Sequence, residues 1–211
     1  MVGPGRIITG DACVAEGAAW LAAREPRFAG LLKETGALPL RLRPPGFGAL
    51  LDAIVSQQVS VASANAIGRR LAEAGLDDRA AVADADEEAL RACGLSRPKV
   101  RYVRALAEAP VDYDALASLP DGAVIETLVA LPGIGRWTAE IYAMFALGRA
   151  DVLAAGDLAL QEAARVLFEL PARPDEKTLR AMAEAWSPWR AVAARALWAY
   201  YRRLKEREGI R

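Results

Sequence analysis

Two short segments hold the residue types and spacing that could do chemistry. The first, Leu131-Pro-Gly-Ile-Gly-Arg-Trp-Thr-Ala139, lies between two apolar helical stretches. Gly133 and Gly135 permit a tight turn with positive φ and the close approach of another backbone. A helix beginning near Arg136 would present free N–H groups and the positive end of its dipole, which binds a phosphate without any basic side chain. The same glycines would serve an ordinary αα-hairpin, and the hairpin alone does not separate the two readings. Twenty-two residues after Gly135, the run Ala154-Ala-Gly-Asp-Leu-Ala-Leu160 holds a single acid, Asp157, in apolar surroundings. Asp157 stands where it would N-cap a helix over 158–169, whose Leu160, Ala163, Ala164 and Leu167 share one face.

Composition narrows what such groups could do. The 211 residues include no histidine, so a Ser-His-Asp triad, a histidine base and a histidine metal site are all excluded. Two cysteines, Cys13 and Cys93, are too few for a four-thiolate cluster or a disulfide framework, which favours a reducing cytoplasm. No segment reaches the roughly 18 apolar residues of a membrane span, and Met1 to Gly10 does not read as a signal peptide. The 27 basic and 27 acidic residues cancel, which by itself lends no support to a nucleic-acid partner.

Helices must position these segments, because the periodicity is helical almost everywhere. Asp11 can cap a helix running to about Arg24, and a short helix to Lys33 ends at Gly36. Residues 38–46, with three prolines, read as a linker. Further helices are expected at Phe47–Ser56, Val59–Ala74, a short one from Asp84 or Asp86 to Gly94, Arg97–Glu108, then 121–130, 136–147, 157–169, 174–186 and 189–207. Pro174 suits a first helical turn. Ile7–Thr9 and Leu40–Arg43 are too short to build a sheet. The expectation is an all-α fold of about ten helices.

With the hairpin and the downstream aspartate in place, the chain resembles the helix-hairpin-helix DNA glycosylase superfamily. Ile54-Val-Ser-Gln-Gln-Val-Ser-Val61, Gly135-Arg-Trp-Thr-Ala139, and Trp186-Ser-Pro-Trp-Arg190 followed by Leu197-Trp198 place the resemblance in its bacterial 3-methyladenine glycosylase II branch, over roughly residues 45–204. The resemblance implies two helical lobes, 1–45 with 146–211 and a central 46–145 that ends in the helix-hairpin-helix at about 121–147, with the active site in the cleft between them. Residues 1 to about 40 leave no room for the larger N-terminal β-containing domain of that branch, so this is expected to be a short form.

The resemblance implies that Asp157 is the catalytic carboxylate. Cleaving an N-glycosidic bond builds positive charge on the sugar, which a fixed carboxylate stabilises while orienting water. A purine methylated at N3 or N7 is already cationic and leaves as a neutral base, so no general acid is required. Trp137 and Trp198 match the pocket tryptophans, which would attract a cationic base at roughly 0.5–2 kcal/mol per ring. Gln58 matches the wedge that fills the gap left by a flipped nucleotide, with Gln57 beside it at the pocket. The branch's pocket tyrosine is replaced by Ile141. Tyr142 follows and completes the pocket set, although a regular helix turns it about 100° away. The aromatic residue often found after the aspartate is Leu158.

The hairpin set implied for DNA is Gly133, Gly135, Arg136 and Thr138, and the carbonyls of Val129, Leu131 and Ile134 match a structural Na+ or K+ site. No cofactor is otherwise expected. Trp137 stands where bifunctional members carry a lysine, and Lys33, Lys99, Lys177 and Lys205 all lie away from the hairpin in sequence. No lyase activity is therefore expected. The implied protein is a monomeric bacterial enzyme, cytoplasmic and nucleoid-associated, excising alkylated purines from double-stranded DNA in base-excision repair. The alternatives are a glycosylase for hypoxanthine or ethenoadenine, and a non-catalytic DNA-binding protein, which would need neither Asp157 nor the two tryptophans. Net neutrality is compatible with DNA if the surface is polarised: Trp186–Arg211 carries seven basic residues against two acidic, and Asp77–Glu88 six acidic against one basic. DNA would meet the first region and avoid the second.

Overall fold

The computed structural model describes residues 3–209. Among them the fold is all-helical: thirteen α-helices and one 3-10 helix, with an isolated antiparallel bridge between Ile7 and Arg149 as the strand-like feature. The helices are α1 (Asp11–Arg24), α2 (Pro26–Thr35), α3 (Phe47–Ser56), α4 (Val61–Glu73), α5 (Arg79–Asp84), α6 (Glu87–Ala92), α7 (Arg97–Glu108), α8 (Tyr113–Ser118), α9 (Asp121–Val129), α10 (Arg136–Phe145), α11 (Leu158–Leu167), α12 (Glu176–Met182) and α13 (Arg190–Arg207), with the 3-10 helix at Ala183–Trp186. No described helix is long and apolar enough to cross a membrane.

The chain divides into two compact units. One comprises Met1–Leu42 and Ala143–Arg211, the other Arg43–Tyr142. In the first, α13 is the central rod: Ala191, Val192, Ala193, Ala194, Ala196 and Leu197 are all buried. Small residues let its neighbours close in. A Cβ on Gly17 of α1 would fall 2.7 Å from both Trp189 and Val192, so only glycine allows this approach. Trp186 packs edge-on to Phe28 at 5.5 Å and stacked on Phe168 at 5.9 Å, which makes it a core residue. In the central unit, α3 contributes Leu50, Leu51, Ile54 and Val55, α7 contributes Val100, Val103 and Leu106, and α9 contributes Val124, Ile125 and Leu128.

The helices α5 and α8, six residues each, are additional to those expected. Each is nucleated by an aspartate cap: Asp78 accepts from Ala80 and Ala81 N–H, and Asp112 from Asp114 and Ala115 N–H. Three boundaries also shift. Gly10 holds the N-cap of α1 and Asp11 its first turn, Ser60 caps α4 at Ser63 N–H, and Asp175 caps α12 so that Pro174 precedes the helix.

Candidate active site

Asp157 ends a buried, heavily tied segment. Ala150 N–H donates to Arg6 O at 3.0 Å, and Ala150 O accepts from Ala191 N–H at 2.9 Å. The Asp151 carboxylate accepts from Ser187 Oγ at 2.7 Å and pairs with Arg190 at 3.4 Å. Val152, Leu153, Ala154 and Ala155 then run through the interior, where buried Gln161 donates to Ala155 O at 2.9 Å. Such anchoring at both ends leaves little freedom where the chain emerges.

At that point Asp157 is the N-cap of α11. Its Oδ1 accepts from Ala159 N–H at 2.9 Å, Leu160 N–H at 3.1 Å and the indole Nε1–H of Trp198 at 3.2 Å. Three donors on one oxygen fix the rotation of the carboxylate. Trp198 is half-buried, and Phe145 lies 5.7 Å from it at an interplanar angle of 34°. Behind Phe145 the Arg195 guanidinium sits 4.7 Å from the ring centroid. Arg195 is buried and donates to Leu40 O at 3.0 Å and Ala191 O at 2.8 Å, and burial drives its pKa down to about 10 with Arg41 adding to the effect. Sequence reasoning missed Phe145 and Arg195. The available signals were that Phe145 stands one helical turn beyond Ile141, and Arg195 one turn before Trp198. Leu158, beside Asp157, is 62% exposed.

The hairpin of the central unit joins α9 to α10. Gly133 has φ +84°, and the Tyr102 ring occupies the space a Cβ there would take. Gly135 departs from expectation: its φ is not in the left-handed region, and a Cβ would meet nothing within 4 Å. It opens α10, its carbonyl accepting from Ala139 N–H at 3.0 Å, and keeps the surface before the helix bare. Ile134 is buried beneath the turn, and Leu131 O accepts from its N–H at 3.1 Å. Val129 is exposed at the end of α9. Among the described residues no cluster of carboxylates or thiols forms a metal site.

Around the hairpin the candidate side chains separate. Trp137 is 45% exposed, unusual for so large an apolar ring. Arg136 is exposed and pairs with Glu140 at 3.1 Å. Thr138 is buried, so its side chain is not presented to solvent. Tyr142 is buried as well, its hydroxyl accepting from Gly46 N–H at 3.0 Å, and burial raises its pKa. That enclosure makes Tyr142 a core residue of the central unit. Gln57 Nε2 donates to Gly133 O at 2.9 Å, which ties it to the hairpin backbone. Gln58 is exposed at the α3–α4 turn with φ +55°, a strained conformation for a non-glycine residue, and Val61 beyond it is 77% exposed.

The basic C-terminal region is less available than its composition implies. Arg190 is engaged by Asp151, Arg195 is buried, and Arg203, Lys205 and Arg207 pair with Glu206, Glu208 and Glu34 at 3.1, 2.8 and 2.8 Å. Arg211 lies outside the described residues. Helical i,i+3 spacing places Arg203 and Lys205 beside Glu206 and Glu208, the two acidic residues of this region, while Arg202 stays exposed.

Residues 51–188 match the model of the HhH-GPD superfamily base excision DNA repair protein. DNA-3-methyladenine glycosylase 1 of Schizosaccharomyces pombe is 34% identical over 158 residues, 71% of this chain and 69% of that one. Among solved structures, a DNA-3-methyladenine glycosidase from Bacillus halodurans superposes with a TM-score of 0.82 at 32% identity, covering 96% of this chain and 95% of the other. The Schizosaccharomyces pombe 3-methyladenine DNA glycosylase in complex with abasic DNA superposes with a TM-score of 0.76 at 31% identity, covering 87% and 95%. With the hairpin, the capping aspartate and the indole beside it arranged as described, the chain belongs to the HhH-GPD superfamily of base excision DNA repair proteins.

Proposed function

We propose that this protein is a monofunctional DNA glycosylase that releases alkylated purines of the 3-methyladenine type from double-stranded DNA, in base-excision repair. The observation that carries this reading is Asp157 Oδ1 held by two backbone N–H groups and the Trp198 indole. A carboxylate fixed in this way is preorganised to face the positive charge that grows on the sugar as the N-glycosidic bond stretches, and no reorganisation is needed at the moment of reaction. It also orients the water that attacks the anomeric carbon. The alkylated base departs neutral, so a chain without histidine lacks nothing the reaction requires.

Recognition follows from charge. The Trp198–Phe145 pair beside Asp157 offers electron-rich faces to a cationic base, and in the central unit Trp137 is half-exposed at the hairpin. Phe145 supplies the aromatic surface that Ile141 and Leu158 lack. Gln58, exposed and strained, fills the gap left in the duplex when the nucleotide is extruded. The N–H groups at the start of α10 take a DNA phosphate, unobstructed at Gly135. The carbonyls of Val129, Leu131 and Ile134 form an all-oxygen donor set that suits a hard monovalent cation, Na+ or K+, and Leu131 O keeps one lone pair beyond its bond to Ile134. The cation would add positive charge beside that phosphate. We place the protein as a monomer in the bacterial cytoplasm, acting at the nucleoid.

The reading is tested by incubating the protein with dimethyl-sulfate-treated duplex DNA and separating the products. Free 3-methyladenine is expected, with strands intact until alkali is added. Strand breaks without alkali would contradict the monofunctional assignment, since Trp137 stands where a lysine nucleophile is needed. Absence of free base would overturn the reading itself.

A further inference from the structure

Lys99 is buried in α7, and its Nζ donates to Val55 O in the last turn of α3 at 2.7 Å. Burying an ammonium is costly, and burial depresses the pKa of this one. A methionine of the same length would fill the space without that cost, so the position calls for an account of what the charge does. Carbonyls in the last helical turn have no intrahelical donor and carry the negative end of the dipole, which makes them good acceptors for a lysine. The turn that Lys99 ties down is the one that bears Gln57 and Gln58.

One helical turn along the same face of α7, the Tyr102 side chain fills the space beside Gly133 in the hairpin. Gln57 closes the third side through its 2.9 Å bond to Gly133 O. Thus α7 touches both the wedge turn and the hairpin, and Gln57 joins those two directly. All these contacts lie within the central unit.

We propose that Lys99, Tyr102 and Gln57 form a brace that fixes the Gln58 wedge in register with the hairpin's phosphate grip, so that extrusion of a nucleotide and anchoring of its strand occur together. Lys99 is then a positioning residue for base flipping, acting through the α3–α4 turn. The inference rests on the glycosylase reading above. It predicts a defect confined to the step in which a paired base must be displaced.

The test compares Lys99→Met, Lys99→Arg and wild type in single-turnover excision of 7-methylguanine, placed either opposite cytosine or opposite an abasic analogue, where no pairing partner has to be lost. Lys99→Met is expected to slow excision about tenfold opposite cytosine, as for loss of one charge-assisted hydrogen bond, and by less than about twofold opposite the abasic analogue. Lys99→Arg, which keeps the donor, should recover most of the paired rate. The fluorescence rise of 2-aminopurine beside the lesion, a flipping signal independent of chemistry, should fall in parallel in Lys99→Met. Equal slowing on both substrates, or no slowing opposite cytosine, would overturn the brace. Wild-type protein that releases neither 7-methylguanine from these substrates nor 3-methyladenine from methylated duplex would instead overturn the glycosylase reading on which the brace depends.

Discussion

Replacing Trp198 by phenylalanine isolates the indole N–H. The substitution keeps an aromatic face for the base and the contact with Phe145, and it deletes one of the three donors on Asp157 Oδ1. A hydrogen bond to a charged group contributes about 1.5–3 kcal/mol. Because Ala159 and Leu160 N–H remain in place at 2.9 and 3.1 Å, the lower end applies, and each 1.36 kcal/mol is tenfold in rate. Single-turnover excision of 7-methylguanine with enzyme in excess should therefore slow about tenfold, while affinity for duplex containing an abasic analogue changes by less than about threefold. Trp198 is only half-buried, so the lost packing should cost about 1–2 kcal/mol, a few degrees in Tm. Phe145→Leu, which keeps the N–H and removes its supporting ring, should slow excision less. A Trp198→Phe rate within about twofold of wild type, or equal losses in the two variants, would refute the claim that this donor sets the carboxylate.

Gly133→Ala should lower Tm by several degrees in calorimetry, since a residue at φ +84° against Tyr102 costs about 1–3 kcal/mol; an unchanged Tm would show that the turn relaxes freely. Gln58→Gly should leave Tm unchanged or slightly raised, because the left-handed strain is relieved, yet slow excision from paired duplex; unchanged excision would remove Gln58 from the flipping step. Burial, aided by nearby Tyr142 and opposed by Arg79, pushes the Tyr113 pKa up to about 12. Its neutral form stabilises the fold fully below the unfolded value near 10, and that stability is lost as pH rises from about 10 to 12. Denaturant melts across that window should show the decline, and Tyr113→Phe should reduce it.

What the sequence made legible was local. Asp157 at a helix start, the glycine-bearing hairpin and the helices flanking it are written in neighbouring residues, because capping and turn chemistry act over two to four positions. Of the three six-residue helices, α6 was legible from its Asp86 cap and closing Gly94, whereas α5 and α8, capped by Asp78 and Asp112 and ended by no glycine, were not. What joins distant segments was legible through the family resemblance alone, which grouped Trp198 with Asp157 without giving their contact. The Trp198 donor stands 41 residues from Asp157, and Gln57 stands 76 residues from the carbonyl it binds. Phe145, Arg195 and Lys99 looked like ordinary helix residues until packing gave each a neighbour. The charge balance shows the same limit: the C-terminal total of seven basic against two acidic residues includes Arg195, which packing buries, and Arg207, which pairs with Glu34 of α2.

The central claim is that Asp157 performs the hydrolysis, and Asp157→Asn tests it most directly. Asparagine keeps the size of the side chain and an oxygen that can cap α11, so the fold and duplex binding should persist. Single-turnover release of 3-methyladenine from methylated duplex should fall at least about a hundredfold, as expected when preorganised charge opposite a developing cation is removed. Release by Asp157→Asn at the wild-type rate would contradict the account.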